Sequence, residues 1–279
     1  MSDALLVLSD GSTYAGRSVG VEGRADGEIV FNTSMTGYQE MLTDPSYAGQ
    51  LLTLTYPMIG NYGVDAKVEE SSKIQPAGLI VREAAPFASH PRSSATLSTF
   101  LRERGVVAID GIDTRSVTRR IRQHGVMLGT ITINETAAEA LDRVRAMQSY
   151  DDTNWVETVT TTAMYDWPDG PGESRTRRIA LLDGGVKRNI MRSLAARGCA
   201  VRVFPSNTSA DDLLAMKPDG IVLSPGPGDP RLLDEMVKET AKLIGRATAV
   251  PFPQVYSPLS SAGRLVLPRW RSRLPLRRT

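Results

Sequence analysis

Apolar positions in the first 150 residues fall into short runs separated by turn residues. The runs at 5–8, 13–19, 28–31, 50–56, 78–82, 106–109 and 125–133 predict strands. Asp10-Gly11 between the first two is a hairpin signal. Other stretches carry the spacing of helix faces instead. Residues 94–104 bring Leu97, Phe100 and Leu101 to one side and stop at Gly105. Residues 113–124 turn Val117 and Ile121 inward, with Asp113 or Thr114 as cap and Gly125 at the end. Residues 137–147 make a last helix. Many short strands with a few helices predict an α+β first domain over residues 1–150.

From residue 178 the order changes to strand, helix, strand, helix, strand. Residues 179–182 are an apolar run ending in Asp183-Gly184-Gly185, and the helix that follows lines up Ile190, Met191 and Leu194 before Gly198. Residues 199–204 are the second strand. Residues 208–216 are the second helix, capped by Thr208 or Ser209, with Asp211 and Asp212 favourably placed in its first turn. Residues 221–223 are the third strand, an unbroken Ile-Val-Leu run suited to burial on both faces. This alternation implies right-handed crossovers and the fold class α/β, a doubly wound parallel sheet over 178–245. The intervening residues 151–177 hold Trp155 and Trp167 without a clear period. With PDGPGESRTRR at their end they read as a linker.

Composition changes the picture at one end of the chain. Of 279 residues, 41% are hydrophobic and 23% charged, as expected of a folded globular protein. The formal charge of +2 is misleading. Residues 246–279 contain seven arginines and no Asp, Glu or Lys. Without them 26 basic residues face 31 acidic ones, so residues 1–245 are net acidic. The basicity belongs to the tail and is no argument for nucleic-acid binding. A single cysteine excludes an internal disulfide and suits a reducing cytoplasmic setting. There is no 18-residue apolar run and no basic region before the short apolar stretch at the N-terminus, so neither a membrane span nor a signal peptide is expected.

The candidate chemistry centres on Ser224-Pro225-Gly226-Pro227-Gly228-Asp229-Pro230. It is a rigid loop at the carboxyl end of a buried strand, where open α/β sheets bind ligands. Its two glycines let the backbone come close to an anionic or developing oxyanionic atom. Gly184-Gly185 is not a G-x-G-x-x-G sequence, so a dinucleotide site is not expected. Lys187 and Arg188 fall in the first turn of a helix, where cations oppose the dipole. That conflict hints at a fixed role for one of them. Arg115, Arg119, Arg120 and Arg122 read as a solvated helix face. Ser46 follows Pro45 in a hydroxyl-rich turn, where a turn-capping role is open.

Four segments, EIVFNTSMTGYQEMLTDPSY, LTYPMIGNYG, VAIDGIDTRSVTRRIR and LSPGPGDP, together resemble the small, glutamine-hydrolysing subunit of carbamoyl-phosphate synthase. The resemblance runs from about residue 4 to about residue 245. It implies a small-subunit N-terminal domain at 1–150 and a partial class I glutaminase domain at 178–245. It also implies ammonia delivered from glutamine to a large subunit that makes carbamoyl phosphate for arginine and pyrimidines. ATP and Mg would act on that partner, with no cofactor or metal on this chain. Ser46, Gly226 and Gly228 match the family's glutamine-contacting positions.

The same resemblance implies a cysteine elbow of the form G-x-C-x-G-H-Q, with a later His and Glu to activate a thiolate nucleophile. Those residues do not occur. Cys199, after Gly198 at a strand start, reads as a core residue. His90 and His124 lie in the first domain at positions the family does not use. No catalytic residue can therefore be assigned, and the chain is expected to be inactive as a glutaminase. A non-catalytic, binding or regulatory role toward the large subunit is the alternative. Residues 246–279 contain Pro251, Pro253, Pro258, Pro268 and Pro275 and lack a period. They are expected to be a disordered, frame-shifted end, or else a separately evolved arginine-rich tail. A sheet cut after three strands is expected to leave an open edge and one uncovered apolar face.

Overall fold

The computed structural model describes residues 2–168, 177–246 and 249–251. Its first half contains strands β1 (Asp3–Leu8), β2 (Thr13–Ser18), β3 (Arg24–Asn32), β4 (Gln50–Leu54), β5 (Met58–Ile59), β6 (Gly78–Ile80), β7 (Glu83–Ala84), β8 (Val107–Asp110) and β9 (Leu128–Thr132). Between them run helices α1 (Tyr38–Thr43), α2 (Leu97–Glu103) and α3 (Thr114–His124), and α4 (Ala137–Arg145) follows β9. Seven of the strands close into a barrel in the order β1-β2-β8-β6-β4-β3-β9, while β5 and β7 pair separately. Neighbouring residues of one strand serve different cores, as a two-residue period requires. Ile29, Leu51, Ile80, Val107 and Ile109 belong to one cluster, with Val117 and Ile121 of α3 packed against it. Val30, Leu52, Leu79 and Ala108 face a second cluster under Tyr38 and Leu42 of α1 and Leu97, Phe100 and Leu101 of α2. The strand runs are legible in the sequence. Their closure into a barrel rests on distant pairings such as β2 with β8 and β3 with β9.

The second half adds α5 (Val156–Val159), β10 (Tyr165–Asp166), β11 (Arg177–Asp183), α6 (Arg188–Ala195), β12 (Cys199–Pro205), α7 (Ala210–Ala215), β13 (Gly220–Leu223), α8 (Asp234–Leu243) and β14 (Ala249–Pro251). The sheet order is β10-β12-β11-β13-β14. β12, β11, β13 and β14 are parallel, and β10 lies antiparallel on β12. Leu181, Val201, Val203 and Val222 pack on Met191 and Ala195 of α6. On the other face Ala180, Leu182, Phe204 and Ile221 pack on Ala210 and Leu213 of α7 and Leu243 of α8.

Three expectations need correction. The sheet does not stop at three strands: Ala249–Pro251 pairs in parallel with β13, so the sheet continues past the boundary placed at 246. Neither face is bare, because α6 covers one and α7 with α8 covers the other. The stretch taken as a linker from 151 is structured as far as Pro168. It supplies α5 and β10, and its Trp167 is buried among the α6-side core. The aromatic residues in that stretch have partners from both halves, which a local period cannot display. Apart from Arg246 and 249–251, the expectation of disorder in the tail lies outside the described residues.

Candidate functional site

The loops after β11 and β13 leave the sheet side by side and are locked by buried polar groups. Asp183 ends β11. Its carboxylate accepts from the N–H groups of Gly185 at 2.9 Å and Val186 at 2.8 Å, and from Thr161 at 2.8 Å. Burial still holds its carboxyl above the ordinary carboxylate range, outweighing those three donors. Ser224 ends the β13 side. Its hydroxyl oxygen accepts from Gly184 N at 2.8 Å and donates to Pro225 O at 2.9 Å. The two loops approach so closely that only glycine fits at 226: a methyl there would lie 2.0 Å from Gly184 O. Gly228 has φ +81°, the left-handed region that favours glycine. The Pro-Gly pattern therefore has two separate reasons, a close backbone approach and a left-handed turn.

The first domain closes the site from the other side. Asp44 caps a short 3₁₀ turn, its side chain accepting from Ser46 N at 2.9 Å. The other carboxylate oxygen of Asp44 pairs with Lys187 Nζ at 2.7 Å. Lys187 is thus the residue preceding α6, with its cation spent on an acid of the first domain. The helix start itself is capped from outside. Glu70 O accepts from Arg188 N at 2.8 Å, and a Glu70 carboxylate oxygen accepts from Asn189 N at 2.8 Å. Arg192 donates to Glu69 O at 3.0 Å. Acids of one domain thus answer the dipole conflict seen in the other.

Between these surfaces lies a cleft of about 1230 Å³, and Ser46, Gly226 and Gly228 all line it. Glu28, Gln50, Tyr150, Asp151, Lys187 and Asn189 line it as well. Such a volume exceeds what one amino acid needs. Glu28 is buried in β3, and its carboxylate accepts from Gln50 Nε2 at 2.6 Å. Burial pushes its carboxyl up to about 7. The Gln50 bond opposes that rise, and the negative charge of Asp151 adds to it. Burial raises the Tyr47 phenol, and its oxygen accepts from Asn32 Nδ2 at 2.9 Å.

Of the residues singled out in the sequence, Ser46 and the two loop glycines are brought together from positions 180 apart. Cys199 is not near them. It is half-buried at the first position of β12, at the amino end of the sheet, whereas Gly226 and Gly228 follow the carboxyl end of β13. His90 sits in an exposed loop, its Nδ1 accepting from Arg92 N, and His124 ends α3 beside Arg120 O. The arginine face of α3 is exposed at Arg115, Arg119 and Arg122, while Arg120 pairs with Asp10. Sequence reasoning missed Glu28, Glu70 and Trp155. The first two look like ordinary surface acids, Glu28 after the glycine of a strand start and Glu70 in a polar Glu-Glu-Ser-Ser run. Trp155 carried a weak signal, one of two tryptophans in a stretch without a period. Among the described residues no group of three or more His, Cys, Asp or Glu is arranged to hold a metal ion, and no helix is long and apolar enough to cross a membrane.

Comparison with known proteins agrees with this division. The family model described as carbamoyl-phosphate synthase small chain, CPSase domain, matches residues 6–131, and the one described as glutamine amidotransferase class-I matches residues 180–252. The second match ends just past β14. The carbamoyl phosphate synthase small chain of Syntrophotalea carbinolica is 43% identical over 255 residues, covering 87% of this chain and 68% of that one. That of Yersinia pestis is 46% identical over 258 residues, covering 88% and 66%. That of Escherichia coli K12 is 43% identical over 258 residues, covering 88% and 68%. The chain therefore spans about two thirds of the length of these relatives.

Proposed function

The chain belongs to the family of carbamoyl phosphate synthase small chains, and from that premise we propose that its interdomain cleft is a glutamine site. In this reading the chain serves a glutamine-dependent carbamoyl-phosphate synthase of the cytoplasm. A large partner subunit, which would use ATP and Mg, makes carbamoyl phosphate for arginine and pyrimidine synthesis. One observation carries it. Ser46 from the first domain and Gly226 and Gly228 from the second, far apart in sequence, line one cleft. A hydroxyl on one wall and a close-packed glycine backbone on the other suit the polar ends of an amide-bearing amino acid.

The same reading makes the chain, as its sequence stands, a binder rather than a hydrolase of glutamine. Amide hydrolysis of this class needs a thiolate at the cleft, and the single thiol, Cys199, starts β12 at the opposite end of the sheet. Glutaminase turnover of the purified chain, with Cys199→Ser beside it, is the test. We expect no turnover from either. A rate that Cys199→Ser abolishes would refute the reading. The placement of Cys199 also supports a second role, as a non-catalytic partner that stabilises or regulates the large subunit. Co-purification with that subunit, and carbamoyl phosphate made from added ammonia but not from glutamine, is the result expected there.

A further inference from the structure

We infer that Trp155 is a positioning residue that sets the separation between the Ser46 wall and the glycine-loop wall of the cleft. The inference rests on the reading of that cleft as a glutamine site and adds what fixes its width. The indole lies against the backbone of Gly49, three residues after Ser46. A methyl group built there would fall 2.0 Å from Cη2 of the ring. The five-membered side of the same ring faces the other domain, with Cδ1 3.2 Å from where a methyl on Gly228 would sit. One rigid plane therefore spans both walls. It is itself held in place. Nε1 donates to Tyr150 O at 3.1 Å, and the ring stacks on Tyr150 with centroids 5.1 Å apart and planes 17° from parallel. Tyr150 is itself tied to the Ser46 side, its hydroxyl donating to Ala48 O at 2.9 Å. Immediately after the indole, Val156 is buried against Gly226, its Cγ2 3.2 Å from a methyl built on that glycine.

This arrangement has a specific consequence. An aromatic ring has a fixed width and few rotamers, so the gap it props is fixed more tightly than one left to loops. Glutamine and asparagine carry the same end groups and differ by one methylene. The cleft as a whole is larger than one amino acid. Where the Ser46 wall and the glycine-loop wall would grip the two ends of the ligand, however, a methylene is worth about 10–200-fold in discrimination. The width set by Trp155 is therefore what separates the two amides. Smaller side chains at 155 let the walls shift and erode that separation.

The test titrates L-glutamine and L-asparagine into the full chain by calorimetry, for the unmodified protein and for Trp155→Phe, Trp155→Leu and Trp155→Ala. Thermal melts are recorded in parallel. The quantity read is the ratio of the two dissociation constants, because a fraction of unfolded protein weakens both ligands alike and leaves the ratio unmoved. We expect the ratio to stay within about twofold in Trp155→Phe and to fall at least about fivefold in Trp155→Leu and Trp155→Ala. If Trp155→Ala yields no folded protein, the contrast between Leu and Phe decides. A ratio unchanged across the variants, with glutamine bound, overturns the role of Trp155 alone. An unmodified chain that binds neither amide overturns the glutamine reading, and this inference with it.

Discussion

Glu28 shows how far one buried acid departs from what its sequence context suggests. In GEIVF it looks like the polar half of an alternating strand, yet it is 8% exposed and lines the cleft beside Gln50 and Asp151. Its folded-state value of about 7 lies above the unfolded value of 4.5, so the native state keeps a proton that the unfolded chain releases across that window. Stability is therefore expected to fall as pH rises from about 4.5 to about 7, by up to ~3 kcal/mol, and to level off above. Glu28→Gln keeps the shape and removes the titration, so the melting temperature of the variant should gain on the wild type between pH 5 and pH 8. Parallel curves for the two proteins would contradict the shift. Asp183 is a different case, since its carboxylate holds three backbone N–H groups at the root of the glycine loop. Asp183→Ala orphans all three in a buried site and should cost about 3 kcal/mol or more by chemical denaturation. Ser46 and the two glycines were legible because motif and turn chemistry coincide there. Glu28 was not, because the residues it meets, Gln50, Leu128 and Asp151 among them, are all distant from it in sequence.

At the scale of elements, α6 illustrates a conflict that was visible and an answer that was not. Lys187 and Arg188 at a helix start are unfavourable in isolation, and α6 has no side-chain cap of its own. The compensation comes from Asp44, Glu69 and Glu70, over 100 residues upstream. Arg104 also pairs with Glu69 at 2.9 Å, which fixes that acid from its own domain. Glu70→Ala removes the carboxylate from Asn189 N but leaves the backbone bond to Arg188 N. It should lower stability by about 1–2 kcal/mol, the usual worth of a cap. Glu70→Ala should cost less in a Lys187→Ala background than in the wild type, because the Asp44 turn and the Glu70 loop fasten the same helix start and are themselves joined by Glu70 N donating to Thr43 Oγ1 at 2.8 Å. Additive losses in that double-mutant cycle would mean that the two contacts act independently. Helices such as α3 and α4, capped by Asp113 and Thr136 from within, were readable for the opposite reason: every group involved is local.

For the whole molecule, what the sequence conceals is closure: of the barrel, of the sheet and of the cleft. Strand runs announce themselves by period, whereas barrel order and domain docking depend on pairings between residues far apart. The sheet supplies the sharpest case. Loss of Asp, Glu and Lys at Arg246 marks a change of composition, and it places the end of the fold there. Backbone pairing of Ile221, Val222 and Leu223 with 249–251 carries the sheet beyond that point, directly alongside the strand that feeds the glycine loop. A chain shortened to end at Gly245 loses this edge, and the polar backbone groups on that side of β13 lose their partners. At about 1 kcal/mol for each ladder bond, the second domain should lose about 2–3 kcal/mol relative to a chain ending at Phe252. Hydrogen exchange reads the effect where it arises. Amides of residues 221–223 should exchange about 30–100-fold faster in the shorter chain, while those of the barrel interior, Leu51 and Ile80 among them, should be unchanged. Equal exchange at 221–223 in the two chains would mean that β14 contributes nothing to the sheet. The composition change at 246 would then be the true end of the fold.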